Sequence, residues 1–119
     1  MATYSKIVLS GSTDGRGILI DDDATAGKTV HTGSGTATTY DEVWIYAANY
    51  DSSDRKLTIE WGSAAAGDII EQTIATEAGL VLVIPGLIIK GNATPLVVAA
   101  FAATTSSIQL FGYVNQITA

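Results

Sequence analysis

Along the whole chain, no window of a dozen residues carries an apolar stripe at helical spacing with charges opposite. Short runs rich in Thr, Ile and Val follow one another instead, at roughly ten-residue intervals. The runs are Tyr4–Ser10, Arg16–Asp21, Thr29–Thr32, Glu42–Tyr50, Lys56–Gly62, Ile69–Ala75, Leu80–Ile84 with Leu87–Lys90, Leu96–Ala103 and Ser107–Ile117. Between them stand turn formers: Thr13-Asp14-Gly15, Ala26-Gly27-Lys28, Gly33-Ser34-Gly35, Asp51-Ser52-Ser53-Asp54, Gly91-Asn92-Ala93 and Thr104-Thr105-Ser106. The alanine-rich Leu96–Ala103 follows Pro95 and is short, which favours a buried strand over a helix. Eight or nine short strands without helices predict one all-β domain over residues 1–119. The expected architecture is a single antiparallel β-sandwich, jelly-roll-like.

Composition narrows what such a domain can do. The 119 residues include no cysteine, so disulfides and thiolate metal sites are excluded, and His31 is the one histidine. With 47% hydrophobic and 15% charged residues the chain is too apolar for disorder. Its formal net charge of −6 has the wrong sign for a general nucleic-acid binder. The six basic residues are scattered, with only Arg55-Lys56 adjacent. The N-terminus lacks a secretory signal's basic start and apolar run. The longest apolar stretch, Gly79–Ile89, is interrupted by Pro85-Gly86 and falls well short of the about 20 residues a membrane helix needs. The chain is read as soluble and made in a cytoplasm.

Candidate chemistry is sparse. Asp21-Asp22-Asp23 lacks the spacing of a calcium loop and reads as a solvated turn. Gly11–Gly17 is glycine-rich, yet no lysine follows at phosphate-loop spacing, so it reads as a turn between strands. His31 lies in a short β-like segment with no second histidine and no G-x-S-x-G elbow, which makes it a hydrogen-bonded structural residue. Glu60 and Glu71 are the acidic pair closest to a glycosidase arrangement, but a sandwich this small has little room for the cleft. The reading is a non-enzymatic protein without cofactor or metal.

Alternation singles out two surfaces. In Glu42–Tyr50 and Lys56–Gly62, read as a hairpin pairing Tyr50 with Asp54, Tyr46 with Thr58 and Trp44 with Glu60, one face is apolar: Val43, Ile45, Ala47, Leu57, Ile59 and Trp61. The other carries Glu42, Trp44, Tyr46, Tyr50, Lys56, Thr58 and Glu60. In the last strand Ile108, Leu110, Gly112 and Val114 form one face, and Gln109, Phe111, Tyr113 and Asn115 the other. Aromatics among charged and hydroxyl groups suit a surface covered by something else, either a partner or another layer of the chain. Trp44, Tyr46, Tyr50, Phe111 and Tyr113 are therefore the candidate oligomer or partner interface.

The stretches Tyr4–Ile20, Thr29–Thr32, Asp41–Gly62, Gly79–Leu96 and Phe111–Ile117 resemble segments of small structural proteins of marine and cyanobacterial phages. In type the chain resembles the capsid decoration, or cement, proteins of tailed double-stranded DNA phages. The resemblance implies a virion protein that binds the major capsid protein on the outer capsid surface at capsomer junctions. It further implies a homo-oligomer, often a trimer, with a dimer as the alternative. No residue-level binding motif carries over. Some decoration proteins grip the shell with a long N-terminal arm, whereas here the first strand begins by Tyr4, so loops or a sheet face would make the contact. A second class fits the same residues: a carbohydrate- or receptor-binding module of a phage fibre or adhesin. Its sugars would stack on Trp44, Tyr46, Tyr50 or Tyr113 and bond to Asp51 or Asp54.

Overall fold

A computed structural model describes all residues, 1–119, and contains nine strands and no helix. The strands are β1 (Thr3–Val8), β2 (Ile18–Leu19), β3 (Lys28–Thr32), β4 (Thr39–Asn49), β5 (Arg55–Trp61), β6 (Ile69–Ile74), β7 (Val81–Lys90), β8 (Val97–Ala102) and β9 (Ile108–Thr118). Each matches an expected run within a few residues. They form two antiparallel sheets, one in the order β1-β9-β4-β7 with β2 also on β9, the other β3-β8-β5-β6. With β1 and β2 taken as one interrupted strand, this is the order of a jelly roll, in which the chain passes repeatedly from one sheet to the other.

That wrapping corrects one expectation. The run Glu42–Tyr50 does not form a hairpin with Lys56–Gly62. β4 pairs with β7 and β9, while β5 pairs with β6 and β8 in the opposite sheet. Val43, Ile45 and Ala47 still meet the same core as Leu57 and Ile59, but across the sandwich instead of along a ladder. The turn residues Asp51–Asp54 are equally compatible with a tight hairpin and with a sheet-to-sheet corner. Local sequence therefore gave the strands and their faces correctly and their partner wrongly.

The core is an eighteen-residue apolar cluster drawn from both sheets, including Ile45, Leu57, Ile59, Ile84, Val98, Leu110 and Val114. Small side chains decide where backbone can come close. Ala100 and Ala102 face the core on β8, and a Cβ at Gly27 would stand 2.4 Å from the Ala100 carbonyl oxygen. At Gly112 a Cβ would stand 1.9 Å from the Trp44 carbonyl oxygen, so β9 lies against β4 only because residue 112 has no side chain. β7 runs unbroken through Pro85-Gly86, which the two-part expectation had left between segments. Proline is tolerated because β7 is an edge strand. Gly86, at φ 79°, sits where the β4–β7 register shifts.

The core is closed by polar residues at both ends of β4. At one end, His31 and Asp41 are buried and join β3 to β4, hence one sheet to the other. The Ser10 amide donates to His31 Nδ1 (3.0 Å), so the ring proton is on Nε2, which donates to Asp41 Oδ2 (2.7 Å). Gln116 Nε2 donates to Asp41 Oδ1 (2.9 Å). At the other end, buried Asn49 donates to the carbonyls of Ser53 and Ile74, 2.9 Å each, and accepts from the Asp51 amide. No buried side-chain polar atom lacks a partner.

The close approach at Gly112 yields a direct test. Gly112→Ala forces β4 and β9 apart, and the variant should lose about 3 kcal/mol or more of unfolding free energy in a urea titration. An unchanged urea midpoint would contradict this reading of the ladder.

Candidate functional site: the outer face of the five-stranded sheet

The β4–β9 ladder runs eleven residues in continuous register, from Thr39 opposite Thr118 to Asn49 opposite Ile108. Because side chains alternate, the same register that sends Val43, Ala47, Leu110 and Val114 inward sends the intervening residues outward. Tyr40 then lies beside Ile117, Glu42 beside Asn115, Trp44 beside Tyr113 and Tyr46 beside Phe111. β1 adds Tyr4, Lys6 and Val8 along the far side of β9. β7 adds Lys90, Ile88 and Leu82 along the far side of β4. Six aromatic residues from three strands thus share one face.

Four of the five residues expected at an interface, Trp44, Tyr46, Phe111 and Tyr113, are brought together here, and all four are half-buried. Trp44 and Tyr113 stack with centroids 6.0 Å apart and planes 10° from parallel. A Cβ at Gly86 would stand 2.8 Å from the indole, so Gly86 lets Trp44 lie close against β7. A Cβ at Gly17 would stand 2.8 Å from the Phe111 ring, which shows that the loop between β1 and β2 closes over that end. Tyr50, the fifth residue, is exposed just beyond the end of β4, and its hydroxyl donates to the Ser106 carbonyl in the β8–β9 turn.

Charge on this face is arranged around the rings. Glu42 Oε1 accepts from Trp44 Nε1 (2.7 Å) and from Asn115 Nδ2 (3.0 Å). These two hydrogen bonds, the indole's first, hold its carboxyl below the ordinary glutamate value. Lys6 Nζ lies 4.9 Å from the centre of the Tyr113 ring, and Lys90 Nζ lies 5.9 Å from that of Tyr40. An open depression of about 420 Å³ is lined by Tyr4, Lys6, Glu42, Asn115 and Ile117 among others. Tyr4, Lys6, Tyr40 and Asn115 were not singled out as site residues from sequence. The signal was present in the alternation of Tyr4, Lys6 and Val8, but only the strand order places β1 on the same sheet.

The opposite sheet treats its outward residues differently. Glu60, on the outer side of β5, is 3% exposed because the β2–β3 loop reaches it. Thr25 Oγ1 and the Gly27 amide each donate to its carboxylate at 2.8 Å. Glu71 pairs with Lys56 (3.1 Å) at the surface, while Glu60 is enclosed. The two acids named as sugar ligands are also engaged. Asp51 binds Arg55 (2.7 Å) and Asp54 accepts from the Thr76 amide (3.0 Å). The Ser52 amide, and after it Arg55, lower the Asp51 carboxyl below its usual value.

His31, Asp41 and Ser10 bring together the residue types of a nucleophilic triad, but they are wired for structure. The ring nitrogen facing Ser10 accepts the backbone amide, while Ser10 Oγ accepts from the Thr32 amide (2.7 Å). In the acidic run, Asp21 approaches Lys28 (3.7 Å), and no three His, Cys, Asp or Glu side chains cluster to hold a metal. Comparison of the chain with protein-family models, with curated proteins and with solved structures gives no match.

The Glu42 arrangement predicts a pH response. Its folded carboxyl is depressed below 4.5, so the stabilisation it provides is full above that value and is lost as pH falls through the lower folded value. In a Trp61→Phe chain, Trp44 is the only indole, and its fluorescence should titrate with a midpoint below 4.5. Glu42→Gln should abolish the transition. A midpoint at or above 4.5 would refute the assignment.

Proposed function

We propose that this chain is a non-enzymatic virion structural protein that binds the outside of a phage capsid at capsomer junctions and stabilises the shell. The observation that carries the reading is the aromatic outer face of the five-stranded sheet. Tyr4 is 74% exposed there, and Leu82 and Ile88 of the same sheet are both more than 40% exposed. A contiguous surface of this kind marks an interaction site in a protein of this size. The resemblance to decoration proteins supplies the partner, the major capsid protein. The jelly-roll wrap is compatible with it, since capsid and lectin domains share that architecture, although fold alone never fixes function. Assembly suits the role. Several copies held together engage neighbouring capsomers with avidity, because each later contact is intramolecular.

One observation favours the second reading, a carbohydrate- or receptor-binding module. The depression beside Glu42 sets a carboxylate, an amide and an ammonium next to aromatic rings, which are the groups that recognise a sugar's hydroxyls and its apolar face.

The two readings separate in one experiment. Capsids of the phage that carries the gene are stripped of the protein, and purified chain is added back. Decoration predicts saturable rebinding and a shell that withstands higher temperature than the stripped one. Absence of rebinding, together with retention on immobilised glycans that Glu42→Gln weakens at least tenfold, would replace decoration by the carbohydrate module.

A further inference from the structure

We infer that the outer face of the five-stranded sheet is the seat of a second copy of this chain, packed face to face across a two-fold axis. The inference rests on the reading of this protein as one that works assembled; it gives the aromatic face to the contact between copies, so that in the assembled pair the capsid is met by the surfaces left outside.

Area is the first argument. Strands β1, β9, β4 and β7, of 6, 11, 11 and 10 residues, at ~4.8 Å spacing and ~3.3 Å rise give a face of roughly 600 Å² per copy. Two such faces together bury on the order of 1,200 Å², at the lower edge of the range of stable specific interfaces. Sheets whose side chains lie low pack in this way, with strand directions about 30° apart. Trp44 lies close over Gly86 and stacks nearly parallel to Tyr113, which keeps the middle of the face low.

Charge is the second argument, because the face carries both signs and can pair with its own copy. The whole chain carries −6. The face carries Lys6, Lys90 and Glu42, a net +1, which leaves −7 on all other surfaces (−6 minus +1). Two copies of so acidic a protein repel on average. Here they meet through a face whose charges are of both signs. Neither lysine forms an ion pair within its own chain, and Glu42 uses only Oε1 for its two internal hydrogen bonds. Glu42 Oε2 and the two ammonium groups are therefore open to one another across the contact, so desolvation is compensated.

A two-fold, face-to-face contact is isologous and closes at two chains. It selects the dimer over the trimer that the family resemblance suggested.

The test is light scattering after size exclusion, together with fluorescence on dilution. Wild-type chain should have twice the 12.3 kDa chain mass. Tyr46→Lys should elute at the single-chain mass with its β circular dichroism intact, while Thr73→Lys, at an exposed position on the opposite sheet, should remain a pair. Should Tyr46→Lys fail to fold, the Trp61→Phe chain decides: on dilution, Trp44 emission should shift to the red in step with the fall in mass. A single-chain or three-chain mass for wild type would overturn the inference. So would a folded Tyr46→Lys dimer, or a Trp44 emission that ignores dissociation. Capsid rebinding is measured separately, so a monomer that still decorates shells defeats this inference and leaves the functional proposal standing.

Discussion

The eleven-residue pairing of β4 with β9 is the constraint on which the rest of the molecule depends. Strand alternation makes that one ladder responsible for two surfaces. Its inward residues, Val43, Ile45, Ala47, Leu110 and Val114, form the middle of the core. Its outward residues stack Trp44 on Tyr113 and set Tyr46 beside Phe111. A one-residue slip would exchange the two sets, placing tryptophan and glutamate in the core and valine outside. The register is held by the burial of one face, by the close backbone approach at Gly112, and by the hydrogen bonds Glu42 accepts from Trp44 and Asn115.

The polar ends of the core turn two sheets into one body. His31 and Asp41 cross from β3 to β4 with both ring nitrogens and both carboxylate oxygens hydrogen-bonded, and Asn49 does the equivalent at the far end through backbone carbonyls. Such groups are costly when unpaired and specify a unique packing when satisfied. The outer sides of the two sheets then diverge. On the β3-β8-β5-β6 sheet the chain covers its own polar groups, drawing the β2–β3 loop onto Glu60. On the β1-β9-β4-β7 sheet it leaves rings and aliphatic side chains at the surface. The asymmetry is what points to an occupant from outside the chain.

Much of this was legible in the sequence, for a local reason. Strand extent and face follow from alternation and turn chemistry, which act over a few residues, and all nine strands and both faces of β4 and β9 could be read that way. Pairing is not local. Asp51–Asp54 between two strand-like runs suggests a hairpin, yet β4 and β5 lie in different sheets, because the core is filled by wrapping. For the same reason Tyr4 and Lys6, more than a hundred residues from Tyr113, could not be joined to the face from sequence. Glu60 was read on a face covered by something else, and the path of the β2–β3 loop supplies that cover. His31 was expected to be hydrogen-bonded, and both its ring nitrogens are, although Asp41 as its partner required knowing that their sheets oppose one another.

The central claim is that the face built by β4 and β9 is covered when the protein is assembled. Hydroxyl-radical footprinting of assembled and dissociated protein tests it directly, with Tyr50 as the internal reference because it is 57% exposed and lies beyond the end of β4. The account predicts that assembly protects Tyr4, Trp44 and Tyr113 several-fold and leaves Tyr50 reactive. Equal reactivity of Tyr4 and Trp44 in the two states, or protection confined to Tyr50, would contradict it.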